Sequence, residues 1–468
     1  MKKPRGRRPG GRGPDKCFIA GRSPAPRVSP ARLIATYVLE RVESDGTFAD
    51  LALAAELDRR RAPTRDAALA TELVYGTLRW QRYLDWVLQP HANRALARLD
   101  PRVRVLLRVT AYQIAFLARV PAFAAVNDAV TLAAGAPGTA GFVNAVLRSF
   151  ARRGAREREP RPPRDPLEAL ATRCSFPTWL AGRWVGRYGL DEAEALMRAL
   201  NERAPLTLRA NTHRLTREDL AARLAAENGL TTRATAWAPE GLVVERGGSP
   251  ETWRAFTDGD CVVQDEASML IARLLEPRPG STVADVCAAP GTKTTHLAAL
   301  MEDRGRVLAV DPEPARLRLV GESARRCGLR IVETHEGAVE ELAGRFADTC
   351  DAVLVDAPCT NLGVVRRNPD VKWRRSAEGI AVAAARQRSI LAASAAMVRP
   401  GGRLVYATCS LEPEENDDVV RAFVAARADF RLDPPTDCPL PLRGDGAFVC
   451  LPHRHGTDGF TAFRLRRS

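Results

Sequence analysis

The sequence predicts a multidomain chain: an all-α helical bundle, then a small α/β middle module, then a C-terminal α/β domain with a doubly wound, mostly parallel sheet. Three observations carry this expectation. Apolar residues recur at spacings of three and four through residues 29–150. A charged, proline-rich stretch interrupts the chain at 151–166. From Ser281 onward, short apolar strands alternate with amphipathic helices. With 468 residues there is room for roughly two to four domains, so a large core forms without disulfide staples. No apolar run approaches the ~20 residues of a bilayer-crossing helix, so a membrane span is not expected.

Residues 1–28 are a basic tail. Nine lysines and arginines against Asp15 within residues 1–27 put +8 of the net +14 there, among glycines and prolines. Two readings stay open: a disordered arm adding salt-sensitive phosphate contacts, or a solvated start without a role. No apolar stretch follows the basic start, so a secretory signal is not expected. Helices are predicted at 30–42, 67–87, 103–117 and 142–150, giving a helical domain over 29–150 and a linker over 151–166. Over 167–262 the pattern predicts helices at 167–171, 179–188 and 191–201. A strand at 206–211, a helix at 217–228 and a strand near 241–245 follow. The last domain, 263–468, has predicted strands at 282–286, 306–311, 330–333, 352–356 and 403–408.

The ten cysteines show no Cys-x-x-Cys pair and no Cys/His ligand spacing. Neither a metal site nor a disulfide framework is indicated, and a reduced, cytoplasmic setting fits. His453 and His455 read as surface or packing histidines.

Ligands of an open parallel sheet bind beyond the carboxyl ends of its strands. The first predicted strand runs into Cys287, Ala288, Ala289, Pro290, Gly291, Thr292 and Lys293, a small-residue turn opening a helix. Its free N–H groups suit an anionic group, although such turns also exist for packing. Gly-x-Gly-x-x-Gly and the Walker spacing are absent, which disfavours nicotinamide and nucleoside-triphosphate ligands. Asp311 closes the second strand, where an acid commonly accepts hydrogen bonds from ribose hydroxyls. A nucleoside without a triphosphate fits both features. Glu336 follows the third strand and either receives an adenine amino group or caps a helix.

Asp356-Ala357-Pro358-Cys359 ends the fourth strand and Thr408-Cys409-Ser410 the fifth, placing two thiols on one rim. A single cysteine is most often a buried small hydrophobe, whereas two at the functional edge suggest nucleophilic chemistry. A thiolate needs a nearby cation or base, and Lys293, Arg366 and Arg367 are candidates. Residues Val364 to Trp373 mix cations with an aromatic ring, the chemistry expected for unpaired nucleic acid; a solvated basic loop is the alternative.

Together Asp285–Lys293, Asp356–Cys359, Arg366–Trp373, Tyr406–Asn416 (YATCSLEPEEN) and Gly456–Phe460 (GTDGF) resemble the S-adenosylmethionine-dependent RNA cytosine-5 methyltransferases of the NOL/NOP/Sun family, nearest its bacterial 16S ribosomal RNA branch. Residues Glu72–Gly76, Val120-Pro121, Ala124–Asn127 and Gly141–Arg148 make the first domain similar to NusB-type RNA-binding bundles, and Gln264–Ser268 matches the family's central part.

The resemblance implies a Rossmann-like methyltransferase domain and S-adenosyl-L-methionine as cofactor. Cys287–Lys293 would surround its methionine end, Asp311 the ribose and Glu336 the adenine side, with Asp356 near both cofactor and base. Cys409 matches the family's nucleophile and Cys359 the thiol of product release. DNA cytosine methyltransferases instead use a Pro-Cys like Pro358-Cys359, so the ranking rests on family likeness. Catalysis is thus expected from Cys409, Cys359, Asp356 and Lys293, on 16S rRNA, by a monomer away from membranes. Another ribosomal or transfer RNA target, or a non-catalytic NusB-like antitermination factor, are the alternatives. The chain departs from the family pattern at Thr292, where a second glycine is usual, at Glu336, where aspartate is usual, and over Thr360–Gly363, where a serine-containing run is common.

Overall fold

The computed structural model describes residues 28–135, 137–153, 159–246, 248–440 and 442–468. The basic segment 1–27 and residues 154–158 of the expected linker lie outside the described residues.

Helices Pro30–Ser44, Ala49–Arg59, Thr64–Arg79, Gln81–Leu88, Pro101–Phe116, Ala122–Leu132 and Thr139–Arg152 form the first bundle. Proline occupies the first turn of the helices at 30 and 101, and the Asp100 side chain accepts the Arg102 N–H at 2.9 Å. The inward stripes bury Ile34, Val38, Leu73, Leu107, Leu147 and Phe150 in one core. The helix predicted over 67–87 is interrupted at Trp80. Its N–H ends the preceding turn on the Gly76 carbonyl, and its ring stacks on Phe116 with centroids 5.0 Å apart. The helices at 49–59 and 122–132 went unpredicted because alanine-rich stretches carry little apolar contrast.

In the middle of the chain, β1 (Leu206–Ala210), β2 (Thr231–Ala234), β3 (Gly241–Arg246) and β4 (Cys261–Val263) form an antiparallel sheet in the order β2-β3-β1-β4. Helix Arg217–Asn228, opened by a Thr216/Asp219 capping box, packs Leu220 and Leu224 against Leu208 and Leu242. The short strands β2 and β4 left no clear alternation in the sequence. Helices Pro166–Arg173, Thr178–Tyr188 and Leu190–Asn201 contribute elsewhere: Phe176, Leu180 and Trp184 share a core with Leu362, Val371 and Leu411 of the last domain.

The last domain holds the parallel strands β5 (Thr282–Asp285), β6 (Arg306–Asp311), β7 (Val332–Glu336), β8 (Cys350–Asp356) and β9 (Val398–Thr408), in the order β9-β8-β5-β6-β7. Both faces are covered, with Leu270 and Leu297 in one core and Leu391 and Val420 in the other. An antiparallel edge, unpredicted from sequence, completes it: β10 (Phe430–Leu432) and β11 (Phe448–Cys450) pair with β12 (Phe460–Arg467), which pairs with β9. Strand order reverses between β5 and β8, the point at which such sheets open a crevice. In register, Asp285 lies beside Leu354 and Asp356 beside Ala407, so the ends of β5, β8 and β9 share one rim.

The basic segment before Trp373 is not a free RNA-facing loop. Arg366 and Arg367 pair with Asp265 at 3.2 and 2.7 Å, and both also pair with Asp458. Fully buried Lys372 donates to the Arg79 carbonyl (2.8 Å) and Asn201 Oδ1 (2.9 Å), with its Nζ 3.9 Å from the Phe176 ring centroid. Burial, aided by neighbouring Arg79, pushes its pKa well below the ordinary lysine range. The Trp373 indole N–H donates to the Leu78 carbonyl at 2.7 Å. These cations hold three parts of the chain together instead of facing phosphates. Replacing Trp373 by Ala removes that hydrogen bond and a half-buried ring. The expected cost is about 2–3 kcal/mol, read as a lowered urea midpoint for the release of the helical domain in the full chain; an unchanged transition would contradict this role.

Candidate active site

Strand β5 ends at buried Asp285, after which the chain turns sharply into helix Thr292–Leu300. Gly291 makes the turn with φ 100°, and a Cβ there would lie 2.9 Å from the Val320 backbone. Positive φ is confined to Gly291 within this turn, which explains how Thr292 is accommodated where the family usually has a second glycine. The Ala288 N–H donates to the Val310 carbonyl at 3.0 Å and the Ala289 carbonyl accepts from Arg316 at 3.0 Å. Asp311, at the end of β6, accepts from the N–H groups of Ala289 (3.2 Å) and Glu313 (3.1 Å).

Along this rim lies a cavity of about 430 Å³. Cys287, Ala289, Asp311, Asp356, Asn361 and Cys409 line it among others. The volume is within the ~300–1,000 Å³ of small-molecule sites. Of the turn residues, Cys287 and Ala289 face the cavity, whereas Ala288, Pro290, Gly291 and Thr292 shape the turn behind them. Glu336 falls elsewhere. It is the last residue of β7, which starts later than the predicted 330–333, and its exposed side chain lines a separate depression beside helix Pro314–Cys327.

Lys293 and Asp356 form an ion pair at 2.6 Å. Burial disfavours the charged lysine, but Asp356 more than offsets it and holds Lys293 above its ordinary range. Lys293 also lies within electrostatic reach of Cys409 and 5.2 Å from the Phe460 ring centroid. Of the three cations expected near the thiols, Arg366 and Arg367 are engaged by Asp265 and Asp458, leaving Lys293.

The sulfurs of Cys359 and Cys409 are 3.2 Å apart, and Asn361 Oδ1 accepts from them at 3.3 and 3.0 Å. Contact with the Cys409 sulfur, then burial, raises the Cys359 pKa well above the usual thiol range, with Glu415 adding to the effect. Sequence reasoning missed the groups that hold this pair. Buried Glu415 accepts from the Thr360 N–H (2.8 Å), Gln387 Nε2 (3.0 Å) and the hydroxyls of Thr360 and Ser410, joining the two cysteine loops. Asn416 accepts from the Thr408 hydroxyl (2.6 Å) and donates to the carbonyls of Ser410 (3.0 Å) and Glu412 (2.8 Å). Gly363 is required because a Cβ there would lie 2.4 Å from the Gly459 carbonyl oxygen. The acidic residues and glycines of YATCSLEPEEN and GTDGF were the available signal. His453 lies 2.6 Å from Glu192, and His455 Nδ1 accepts from the Leu451 N–H at 2.9 Å.

Residues 272–466 match the family described as 16S rRNA methyltransferase RsmB/F, residues 29–152 the NusB family, and residues 176–250 the ferredoxin-like domain of RsmF/B-like methyltransferases. A probable ribosomal RNA small subunit methyltransferase B of Bacillus subtilis is 36% identical over 93% of this chain and 98% of its own. This chain belongs to the RsmB/F methyltransferase family. Among solved structures, PH0851 superposes with a TM-score of 0.80 at 28% identity, covering 94% of this chain and 99% of its own. NSun6 from Pyrococcus horikoshii, solved with the S-adenosylmethionine analogue SFG, reaches 0.56 at 26% identity over 62% and 98%.

As a member of the RsmB/F family the protein is an S-adenosylmethionine-dependent methyltransferase with a Rossmann-like domain, and the cavity suits that cofactor. Asp311 stands at the strand end where ribose hydroxyls are bound, and Glu313, Glu340 and Asp356 give the lining the carboxylates a cationic ligand requires. Beneath the turn, burial pushes Asp285 up to about 7; the Thr294 hydroxyl (2.8 Å) opposes this, Asp356 adds to it and Lys293 opposes it. The folded state therefore holds this proton more tightly than the unfolded chain. Its stabilising contribution is complete at low pH and lost as pH rises from about 4 through about 7. Asp285→Asn should flatten the loss of urea resistance between pH 5 and 8 by a few kcal/mol relative to the parent; parallel slopes would contradict the assignment.

Proposed function

We propose that the protein methylates carbon 5 of a cytosine in 16S ribosomal RNA through a transient bond between Cys409 and the base. The observation that carries this reading is the thiol pair at the cavity wall, 3.2 Å apart, beside the Lys293–Asp356 ion pair. Two sulfurs that close cannot both ionise cheaply. Cys359 is held protonated, and the family resemblance makes Cys409 the nucleophile.

Carbon 5 of cytosine is too electron-poor to attack a methyl donor unaided. The Cys409 thiolate adds to carbon 6, the S–C bond forms, and the displaced electron pair moves through the ring toward N3, leaving carbon 5 nucleophilic. Asp356 passes to N3, as charge develops there, the proton that Lys293 shares with it across their 2.6 Å contact, and takes it back when the ring is restored. S-adenosylmethionine, when bound, supplies an electrophilic sulfonium methyl group at this point. Loss of the carbon-5 proton to a base then returns the electron pair to the ring, the S–C bond breaks, and Cys409 leaves as thiolate. Cys359 assists this release. The 287–293 turn would hold the methionine end and Asp311 the ribose, while Pro312, Val339 and Ile390 offer apolar surface for the adenine ring. The outer position of Glu336 makes it a poor adenine partner in this conformation.

Relatives named for the ribosomal small subunit support the 16S target, and the NusB-type bundle over 29–152 supports an RNA-binding role for the first domain. We assign residues 29–150 to RNA binding, 167–262 to a bridging module and 263–468 to methyl transfer, in a cytoplasmic monomer. Among the described residues no helix is long and apolar enough to cross a membrane.

Cys409→Ser should abolish tritium transfer from labelled S-adenosylmethionine to 16S transcript, and Cys359→Ala should accumulate a protein–RNA adduct on denaturing gels. Normal turnover by the serine variant would overturn the nucleophile assignment. Bisulfite sequencing of 16S rRNA from cells with and without the protein should reveal one protected cytosine. Protection in transfer RNA alone would move the target, and no transfer to any RNA would favour a binding factor.

A further inference from the structure

Asn361 lies within the run Thr360–Gly363, where this chain departs from the family's usual serine-containing sequence after Pro-Cys, and its side chain reaches both sulfurs. Its backbone has φ 63°, a left-handed conformation that asparagine adopts more readily than most residues. The turn is fixed from both sides. Its carbonyl accepts the Val364 N–H at 3.1 Å, and the Gly363 N–H donates to the Cys409 carbonyl at 2.9 Å. The carboxamide is therefore aimed at the thiols while also lining the cavity.

As placed, Oδ1 accepts from protonated sulfur, an arrangement that suits a resting, neutral pair. The two ends of a carboxamide are nearly the same size. A half-turn about Cβ–Cγ exchanges the acceptor for two N–H donors without disturbing the backbone. Donation to an anion favours the anion, and hydrogen bonds to charged groups are the stronger kind.

We propose that Asn361 is a positioning residue for the attacking sulfur: its carboxamide accepts from the Cys409 thiol at rest and turns to donate an N–H to the thiolate. The thiol proton leaves to solvent through the open cavity, and Cys359 keeps its own. This rests on the reading of Cys409 as the nucleophile.

The test uses the full chain with two variants. Asn361→Gly keeps the left-handed turn accessible and deletes the carboxamide. Asn361→Asp keeps the shape but offers only acceptors and a negative charge. Peptide-resolved mass spectrometry of iodoacetamide labelling against pH reads Cys409 directly, beside steady-state methylation of 16S transcript. In the Gly variant, labelling of Cys409 at neutral pH and kcat should each fall about tenfold, with the labelling curve displaced to higher pH. KM for RNA should stay within about twofold, and the Asp variant should lose more. Curves and kcat superimposing on the parent's would overturn the proposal. Should the Gly variant fail to fold, the Asp curve decides alone. Because labelling reports on Cys409 whatever chemistry it performs, these outcomes stay separate from the Cys409→Ser result, which tests the nucleophile itself.

Discussion

Sulfur atoms 3.2 Å apart share one negative charge at most, and the surrounding structure decides which of them holds it. That constraint fixes how the site is built. The parallel pairing of β8 with β9 sets Asp356 beside Ala407, so the loops beyond them bring Cys359 and Cys409 together. Register alone would leave two independent loops. Glu415 binds them, since one buried carboxylate accepts from both loops and from the helix behind them. A buried anion is tolerable only when its lone pairs are filled, and here four donors fill them.

The same logic governs the charges outside the cavity. Arg366 and Arg367 face Asp265 and Asp458 across segments far apart in the chain, so the segment that follows Cys359 is tied to the start of the domain and to β12's leading turn. Asp265 has two further duties, accepting from the Ala267 N–H to open a helix and from the Asp458 N–H. Lys372 extends this frame to the helical bundle and to the helices of 166–201. Cations so engaged are unavailable to a phosphate backbone, and the RNA-facing charge must lie on other surfaces.

What the sequence made legible follows from chain-local physics. Asp285, Asp311, Asp356 and both thiols sit at or just past strand ends, and in a parallel sheet strand ends are where ligands bind; reading the strands was enough to place them. Glu336 escaped because its side depends on the bounds of β7: a strand end placed three residues early put it beyond the strand, whereas it is the strand's last residue, opposite Asp311. Arg366 and Arg367 escaped because their partners lie about a hundred residues away in either direction, a pairing no local pattern announces. Asn361 registered as a departure in sequence and gained a partner only when the two cysteine loops met.

The small middle sheet bears on the cavity rim without lining the cavity itself. Arg209 on β1 is fully buried, and burial lowers it to about 10. Its guanidinium donates to the Thr292 carbonyl at 2.6 Å and to the Thr295 hydroxyl at 3.0 Å, both in the first turn of the helix that follows the Gly291 turn. A guanidinium removed from water is stable only with such acceptors in place, so β1 and that helix turn hold each other in position. The Thr292 carbonyl is thus anchored by a distant part of the chain, and the geometry of the turn beside the cavity depends on a strand that contributes nothing to the cavity's lining.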